Sequence, residues 1–569
     1  MARVTIPHQE YPRPQLVRDS YLNLNGVWRY AITAGDQRPE AHDGDILVPF
    51  SPEAPLSGVE RQLRPGQTLW YRRTFEPPAE FAGGRVILHF GAVDQTCRVW
   101  VNDQEAGGHT GGYLPFSFDV TDALRDGVNT LDVAVRDDTD TGWASRGKQR
   151  LRRGGIWYTA QSGIWQTVWA ERVPEAHVER LTLTPVPEEE CVEVTVHASR
   201  GEARVEILAG GEAVATATAP ANRTVRLPLP GARLWSPEDP FLYDVTVSLG
   251  ADRVRGYVGM RSFSVGPDAG GVPRLLLNGR PYFHAGILDQ GYWPGGLYTP
   301  PSDQAMIDDI ATMKRLGFTM LRKHIKIEPL RWYHHCDRLG MLVWQDLVNG
   351  GEAYRPFVVT TPAILPLRLD DRRHRRFGRA DPAGRQAFEA ELRATVEHLR
   401  NVVSLAVWVP FNEGWGQFDA ARIAGELARL DPTRTVDHAS GWHDQGAGDL
   451  LSLHVYFRRF RPPRPDGRVL VLSEYGGYGL PVDGHTWGDK QFGYRRYRTA
   501  DELGAAFTRL HEEQIIPAIR EGLSATVYTQ LSDVEDELNG LLTYDRAVLK
   551  LPDDLIRSIT KRLTFHDHA

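Results

Sequence analysis

The sequence predicts a multidomain protein in which two β-sandwich domains precede a C-terminal (β/α)8 TIM barrel. At 569 residues the chain is too long for a single hydrophobic core. Through residues 1–267 apolar and polar residues alternate in short runs, which is typical of strands with one buried face. From residue 268 short apolar runs alternate with helical stretches, as they do in parallel strand–helix units.

Residues 1–172 are predicted to form an N-terminal β jelly-roll sandwich. The segments 85–90 and 131–136 each place every second side chain on one apolar face. Glycine pairs at 107–108 and 111–112 mark turns between such strands. Short strands separated by glycine-rich turns indicate a sandwich of antiparallel sheets.

Residues 173–267 are predicted to form an immunoglobulin-like β-sandwich. The segments 192–196 and 243–247 alternate in the same way, and turn residues recur about every ten positions. A stretch of about 95 residues with this pattern suits an immunoglobulin-like domain that lacks the usual disulfide.

Residues 268–569 are predicted to form the TIM barrel. Its first helix is clear because Ser302 can cap it, its apolar residues fall on one face, and Gly317 can end it. A doubly wound sheet is the alternative, but eight successive units favour a closed barrel. The eight strand candidates lie near residues 281–287, 318–324, 341–346, 404–411, 434–440, 450–456, 468–474 and 524–530.

Composition excludes several classes of partner and cofactor. A net charge of −7 and a pI near 6.3 argue against nucleic acid as the main partner. The three cysteines, Cys97, Cys191 and Cys336, are too few and too scattered for a disulfide framework or a zinc site. The phosphate-binding loop, the HExxH zinc motif and the GxSxG motif of serine hydrolases do not occur. We therefore expect no cofactor and no metal.

The sequence predicts a cytoplasmic protein that does not span a membrane. The first residues lack the apolar region of a secretory signal. No run of about 18 apolar residues occurs, so no membrane-spanning helix is expected.

One end of the predicted barrel collects polar side chains. In TIM barrels the interior is filled, and catalytic groups project from the C-terminal ends of the strands. A purely structural barrel has no need for acids, histidines, an amide and phenols at these ends. The polar residues there are Asp289, Arg322, His324, Asp346, Asn412, Glu413, His454, Tyr456, Glu474, Tyr528 and Gln530.

Glu413 and Glu474 are the candidate catalytic residues because each ends an unusually apolar run. Cleavage of a glycosidic bond needs one carboxyl group to protonate the leaving oxygen and a second carboxylate to meet the positive charge at the anomeric carbon. The apolar strand and Trp415 would desolvate Glu413 and raise its pKa. Glycines 476–477 would leave Glu474 accessible, and the Tyr456 hydroxyl could keep it ionised.

Several of these residues have two open interpretations. His324 and His454 can bind substrate or be structural, and Arg322 can instead pair with a neighbouring acid. Asp346 can bind a sugar hydroxyl or brace another residue. The arginine-rich segment 368–385 is either a solvated loop or subunit contact, or a flap that favours an anionic or extended substrate.

Several segments together resemble glycoside hydrolase family 2, which contains β-galactosidases, β-glucuronidases and β-mannosidases. The resemblance covers nearly the whole chain, with the segments in the order of the family's domains. Residues 97–102 and 108–116 of this chain resemble the signature of the family's jelly roll, and 163–169 resemble the segment that closes it. Residues 259–263 resemble the end of the family's immunoglobulin-like domain. Residues 412–413 resemble its acid/base pair, and 473–476 resemble its nucleophile segment.

This resemblance implies a retaining, two-step glycosidase. Glu474 would attack the anomeric carbon while Glu413 protonates the aglycone, and Glu413 would then deprotonate water. The two carboxyl groups should lie roughly 5–5.5 Å apart. Asn412 would hold the 2-hydroxyl of the sugar, and His454 and Tyr456 resemble family positions near the nucleophile.

The sequence does not determine which sugar the substrate contains, because it departs from each of the well-known specificity groups of the family. The third strand ends in Trp-Gln-Asp at 344–346, which is closer to the mannosidases than to the β-galactosidases. The metal ligands of the long β-galactosidases are not evident. Glucuronidases use an Asn-x-Lys motif after the nucleophile, and residues 488–490 are a poor substitute for it. Galactose, galactofuranose, arabinofuranose, mannose and glucuronate all remain candidates.

The leading hypothesis is an exo-acting retaining glycosidase, β-galactosidase-like, that acts on a small glycoside or oligosaccharide. The alternatives are a furanosidase, a β-mannosidase, a β-glucuronidase, a transglycosidase, or a barrel that only binds carbohydrate. The two β domains are expected to support the barrel, and a jelly-roll loop near Trp143 or Trp157 is a candidate to reach its mouth. Family members often form dimers or tetramers, so a homo-oligomer is compatible with the resemblance.

Overall fold

The computed structural model describes residues 6–365 and 367–565. It has the predicted fold class: a jelly-roll sandwich, an immunoglobulin-like sandwich and a barrel of eight parallel strands, in that order along the chain. The exact domain bounds at residues 172 and 267 stay predictions.

The jelly-roll sandwich packs a four-stranded sheet against a six-stranded sheet. Trp28, Leu88 and Val133 are among the buried residues of the core between them. In spatial order the first sheet contains Leu22–Asn23, Val168–Val173, Arg85–Phe90 and Phe116–Asp119, and the second Gly44–Val48, Gly26–Ala34, Gln67–Phe75, Asn129–Arg136, Thr96–Val101 and Gln104–Thr110. Short strands at Val93–Asp94, Gln149–Arg150, Tyr158–Thr159 and Gly163–Ile164 lie outside these sheets.

The immunoglobulin-like sandwich packs a three-stranded sheet against a four-stranded one. Cys191 begins the central strand of the three-stranded sheet and, like Cys97 and Cys336 elsewhere, is buried and forms no disulfide. The sheets contain Arg180–Val186, Cys191–His197 and Thr224–Pro228, and Glu212–Pro220, Glu202–Ala209, Tyr243–Leu249 and Asp252–Val258. A small sheet of Phe263–Pro267, Pro273–Leu277 and Arg280–Pro281 leads into the barrel.

The barrel has one strand in each of the eight predicted regions. All neighbouring strands in it are parallel, and the chain closes the gap between the fifth and sixth strands where the Val436 carbonyl accepts from the Asp449 amide at 2.9 Å. In chain order the strands are His284–Asp289, Met320–Lys323, Leu342–Asp346, Leu405–Val409, Thr435–Val436, Leu450–Val455, Val469–Gly476 and Leu523–Thr529. Tyr478–Gly479 and Arg495–Arg496 pair outside the barrel.

The helices surround the barrel, and the first of them begins and ends as predicted. The Ser302 hydroxyl accepts from the Ala305 amide at 3.2 Å, and Gly317 after the last turn has φ +89°, which suits glycine. The α-helices are Asp303–Arg315, Leu330–Leu339, Pro356–Val359, Pro382–Leu399, Ala420–Leu430, Ala500–Leu510, Ile516–Arg520 and Asp553–Thr560. Among residues 6–365 and 367–565 there is no helix long and apolar enough to cross a membrane.

The structure differs from eight regular strand–helix units after the fifth and sixth strands. Residues 437–449 and 456–468 connect strands without any helix. The first connection contains three glycines and the second three prolines, and both residue types oppose helix formation.

Alternation along each strand decides which polar side chains reach the barrel mouth. Met320 packs in the apolar cluster inside the barrel, whereas Leu321 packs with the surrounding helices. Arg322 therefore points inward and Lys323 outward, where it lies over the Trp332 ring of the second helix at 4.2 Å.

Candidate active site

A fully buried arginine organises the C-terminal end of the barrel. The Arg322 guanidinium donates to both oxygens of Asp346 at 3.0 and 3.1 Å and to the Asn412 Oδ1 at 2.8 Å. It also donates to the Glu474 Oε1 at 3.2 Å and the Ser473 carbonyl at 3.0 Å. One rigid planar cation thus joins the ends of the second, third, fourth and seventh strands.

Glu413 lies on a strained turn just beyond the fourth strand. Its φ is +51°, in the left-handed region that residues with a side chain seldom adopt. The Glu413 amide donates to the Ser440 carbonyl at 3.0 Å, which ties the turn to the segment after the fifth strand. Gly414 and Gly416 also have positive φ and let the chain fold back beneath the carboxyl group. Strain of this kind is tolerated where a side chain must be aimed at a site.

The surroundings of Glu413 favour its protonated form at neutral pH. Burial raises the pKa of this carboxyl group to about 8, and the positive charges of Lys148 and Arg322 oppose that increase. Only 5% of the residue is exposed, and Trp415 follows it in a fully buried position. The predicted desolvation of Glu413 has this physical basis.

Glu474 has an environment of opposite character. Arg322 lies against its Oε1, and the Tyr456 hydroxyl donates to its Oε2. The Tyr456 ring stacks on Tyr494 at 4.0 Å, and burial raises the pKa of the Tyr456 phenol, so it stays a donor. The Glu474 carboxyl group thus accepts hydrogen bonds from two donors.

The two glutamates face each other across His454. The His454 Nδ1 lies 2.8 Å from the Glu413 Oε1 and 3.6 Å from the Glu474 Oε2. One carboxyl oxygen of each glutamate and a ring nitrogen of His454 lie within 4.8 Å of one another. These three groups could in principle bind a cation, but the Arg322 guanidinium on Glu474 repels one. The absence of a metal stays a prediction.

Both histidines of the predicted set lie in the site and are held by hydrogen bonds. His454 contacts the Ser440 hydroxyl at 3.0 Å through its Nε2, and burial lowers the pKa of His454 to about 4. His324 contacts the Asp346 Oδ2 at 2.7 Å, and burial also lowers the pKa of His324. Each imidazole is therefore neutral at pH 7.

Asn412 keeps one unused hydrogen-bond donor. Its Oδ1 accepts from Arg322, which fixes the orientation of the amide. Its Nδ2 is buried and has no partner among the described residues. An unpaired buried donor is costly unless a ligand completes it, so this amide is suited to bind a substrate oxygen.

Asp289 and Tyr528 do not belong to the group around the glutamates, which corrects two sequence-based assignments. Asp289 points to the outer layer, where it pairs with Lys323 at 2.7 Å. Tyr528 also points outward and packs against Tyr475 and Phe507. Strand alternation puts both side chains on the helix-facing side of the barrel. Hydrogen bonds link the other predicted polar residues around the mouth, namely Arg322, His324, Asp346, Asn412, Glu413, His454, Tyr456 and Glu474. The Trp415 ring lies 6.0 Å from the His324 ring, whereas Gln530 bonds to Gln290 and Asn539.

The jelly-roll domain contributes residues that strand-end reasoning missed. The Trp157 ring lies 5.0 Å from the Trp415 ring, so the predicted contact near Trp157 is present. Trp143 instead packs beside Gly384 of the fourth helix. Lys148 lies 5.7 Å from the Trp415 ring. The only sequence signal for Lys148 is its place near Trp157 in a basic segment.

The arginine-rich segment 368–385 packs onto the Glu413 turn. The buried Arg379 donates to the Gly416 carbonyl at 2.8 Å, and the Phe377 ring lies 5.2 Å from His443. On the outer side a groove of about 610 Å³ collects basic residues. Its basic lining residues are Arg355, Arg372, Arg373, His374, Arg375, Arg376 and Arg385.

Replacing Arg322 by methionine is expected to lower the free energy of unfolding by about 3–5 kcal/mol, because Asp346 and Glu474 would remain buried without their cation. Urea unfolding followed by circular dichroism measures this loss. Arg372→Met removes an exposed pair with Asp370 and serves as the control, with little change expected because solvent screens such a pair. Equal effects of the two substitutions would contradict the organising role of Arg322.

The three-domain order and the facing carboxyl groups define the class of multidomain glycoside hydrolases. Three family models match the chain: "Glycosyl hydrolases family 2, sugar binding domain" at residues 60–172, "Glycosyl hydrolases family 2" at 167–261, and "Glycosyl hydrolases family 2, TIM barrel domain" at 300–464. The chain belongs to glycosyl hydrolases family 2. The barrel match includes Glu413 and ends before Glu474.

Curated relatives are about a quarter identical to the chain over the residues that align. A putative β-glucuronidase of Formosa agariphila is 26% identical over 395 residues, which are 65% of this chain and 34% of that protein. A β-galactosidase of Klebsiella pneumoniae is 27% identical over 401 residues, which are 65% of this chain and 35% of that protein. A β-galactosidase from Aeromonas hydrophila is 27% identical over 499 residues, which are 80% of this chain and 44% of that protein. The chain thus spans less than half the length of these relatives.

Solved structures with the same fold cover almost the entire chain. A β-D-glucuronidase from Dictyoglomus thermophilum superimposes with a TM-score of 0.75 at 16% identity, over 97% of this chain and 98% of its own. A β-galacturonidase from Eisenbergiella tayi superimposes with a TM-score of 0.71 at 21% identity, over 98% of each chain. At these identities the likeness establishes the fold.

Proposed function

We propose that the chain is an exo-acting, retaining glycosidase in which Glu474 is the nucleophile and Glu413 is the acid/base. The observation that carries this proposal is the pair of buried carboxyl groups that face each other with oxygens within 4.8 Å. Inverting enzymes need a larger separation because a water molecule must fit beside the sugar, whereas a nucleophile contacts the anomeric carbon itself.

In the first step a Glu474 oxygen bonds to the anomeric carbon, and the bond from that carbon to the aglycone oxygen breaks. The proton of Glu413 goes to the departing oxygen, so the aglycone leaves as an alcohol. The contrast between the two carboxyl groups supports these roles: Glu413 is held protonated by burial, and Glu474 receives two donors.

In the second step Glu413 takes a proton from water, and the water oxygen bonds to the anomeric carbon. The bond from that carbon to Glu474 breaks as the new bond forms, and the nucleophile returns as a carboxylate. The positive charge that grows on the sugar in both steps lies beside the ionised Glu474. The free Asn412 amide is placed to donate to a sugar oxygen close to the reacting carbon.

A panel of aryl glycosides tests the proposal. 4-Nitrophenyl β-galactoside, β-mannoside, β-glucuronide, galactofuranoside and arabinofuranoside are offered to the enzyme, and the anomer first released from the best substrate is followed by NMR. We expect net retention, because two displacements restore the starting configuration. Inversion, or turnover of no member, would reject the proposal. Transfer to an added alcohol in place of water would identify a transglycosidase.

A further inference from the structure

Lys148 brings a positive charge from the jelly-roll domain to the mouth of the barrel. It precedes the short strand Gln149–Arg150, and only 5% of the residue is exposed. Its ammonium lies 5.2 Å from the Tyr158 ring and 5.7 Å from the Trp415 ring. Because Trp415 follows Glu413 by two residues, the ammonium lies next to the candidate acid.

Among the described residues this ammonium forms no ion pair, although its charge acts on the Glu413 carboxyl group, which burial keeps protonated. Within residues 6–365 and 367–565 no carboxylate lies within 4.0 Å of it, and no oxygen accepts a hydrogen bond from it. The two aromatic rings compensate its desolvation in part. A nearly buried charge without a counter-ion is unfavourable, so the position is costly for the free protein.

The other deeply buried lysines of the barrel show how the fold normally handles such a charge. Lys323 pairs with Asp289 at 2.7 Å and with Glu328 at 2.8 Å. Lys326 pairs with the same Glu328 at 2.8 Å, and Lys550 pairs with Asp533 at 2.6 Å. Lys148 differs from all three because it faces the mouth of the barrel rather than the outer layer or a loop.

We propose that Lys148 binds an anionic substituent of the sugar, so that the substrate class is the glycosides of acidic sugars. A carboxylate on the sugar ring, or a sulfate ester in its place, supplies the counter-ion that the protein lacks. A charge-assisted hydrogen bond to a desolvated ammonium is strong and selects against a neutral hydroxymethyl group. This inference rests on the proposed glycosidase function and names its substrate.

The surface of the arginine-rich segment 368–385 has the same sign of charge. Its groove is lined by six arginines, and of these Arg372 pairs with a carboxylate, that of Asp370. A basic surface of this kind raises the local concentration of anions and the rate at which they arrive. Acidic sugars would therefore be attracted before Lys148 binds them.

The test compares substrates that differ in one group. The pairs are 4-nitrophenyl β-glucuronide with β-glucoside and β-galacturonide with β-galactoside, and a 6-sulfated galactoside separates sulfate from carboxylate recognition. For wild type we expect kcat/KM to be higher for an acidic member than for its neutral partner. In Lys148→Met this ratio should fall about 10–100-fold, chiefly through KM. Lys148→Arg keeps the charge and should retain most of the ratio.

The exposed Lys561 provides the matched control, because Lys561→Met makes the same chemical change far from the site and should leave the ratio unaltered. If Lys148→Met fails to fold, competitive inhibition of wild type by free uronic acids and by the neutral sugars gives the same comparison. The inference would be overturned if wild type had the higher kcat/KM on the neutral glycoside of a pair, or if Lys148→Met lost kcat/KM equally on the acidic and the neutral glycoside. Either result would leave the glycosidase proposal intact. If the enzyme hydrolysed none of these glycosides, both the inference and the glycosidase proposal would be rejected.

Discussion

Replacing Glu474 by glutamine is expected to lower kcat on activated aryl glycosides by at least about 10⁴-fold. The amide has the same shape: its oxygen can accept from Arg322, and its NH2 group can donate to the Tyr456 oxygen, whose own proton can turn to the Thr529 hydroxyl at 3.1 Å. The site should therefore keep its geometry. The amide cannot bond to the anomeric carbon as a carboxylate does. Steady-state release of nitrophenol measures the loss, and a Tm equal to that of wild type shows that the fold is intact.

A smaller replacement provides a second measurement on the same residue. Glu474→Ala leaves space beside the anomeric carbon, and added azide should enter it and restore turnover. Azide then bonds to the anomeric carbon in place of Glu474, and the glycosyl azide has a configuration inverted from that of the substrate. Glu521→Gln changes an exposed glutamate and serves as the control. Normal turnover by Glu474→Gln would exclude Glu474 as the nucleophile.

Replacing Glu413 by glutamine is expected to cost about 10²–10⁴-fold, with a loss that depends on the leaving group. The leaving oxygen of an alkyl glycoside departs only when it is protonated, so kcat/KM should fall most for alkyl glycosides. A dinitrophenolate leaves without a proton, so its first step should be nearly unaffected. Measuring kcat/KM against the pKa of the leaving group gives the slope that separates the two cases.

The pH dependence of the wild type tests the same residue independently. The pKa of Glu413 near 8 means that the acid is protonated below this value and loses its proton above it. We therefore expect kcat/KM to fall as the pH rises through about 8, and this limb should be absent in Glu413→Gln. A limb that persists in the variant would assign the titration to another group. A uniform loss on all leaving groups would argue against acid catalysis by Glu413.

The sequence predicted Glu413 and Glu474 as the candidate catalytic pair because each ends an unusually apolar run, and the structure brings them to one end of the barrel. It also predicted Arg322, His324 and Asp346 at the mouth, since strand ends meet on one face of a barrel. It could not decide which way Asp289 and Tyr528 point. Both faces of a buried parallel strand are apolar, so the alternation that reveals the inner face of a half-exposed strand is missing.

Contacts between domains could not be predicted in the same way. Lys148 reaches the barrel mouth only because the jelly roll packs against it, as the Ser145–Gly350 bridge and the Tyr158 hydroxyl on Glu537 show. No local pattern encodes such packing. The missing helices at 437–449 and 456–468 could have been anticipated, because their glycines and prolines are visible in the sequence.

The position of Trp157 against Trp415 has a consequence for how this protein can diversify. The proposed catalytic glutamates and the loop that packs against Trp415 belong to different domains. A mutation in the Trp157 loop does not alter the barrel core. The selectivity for substrate can therefore change while Glu413 and Glu474 keep their positions. Conversely, the barrel excised from its neighbour would expose to water the part of the Trp415 indole that Trp157 now covers.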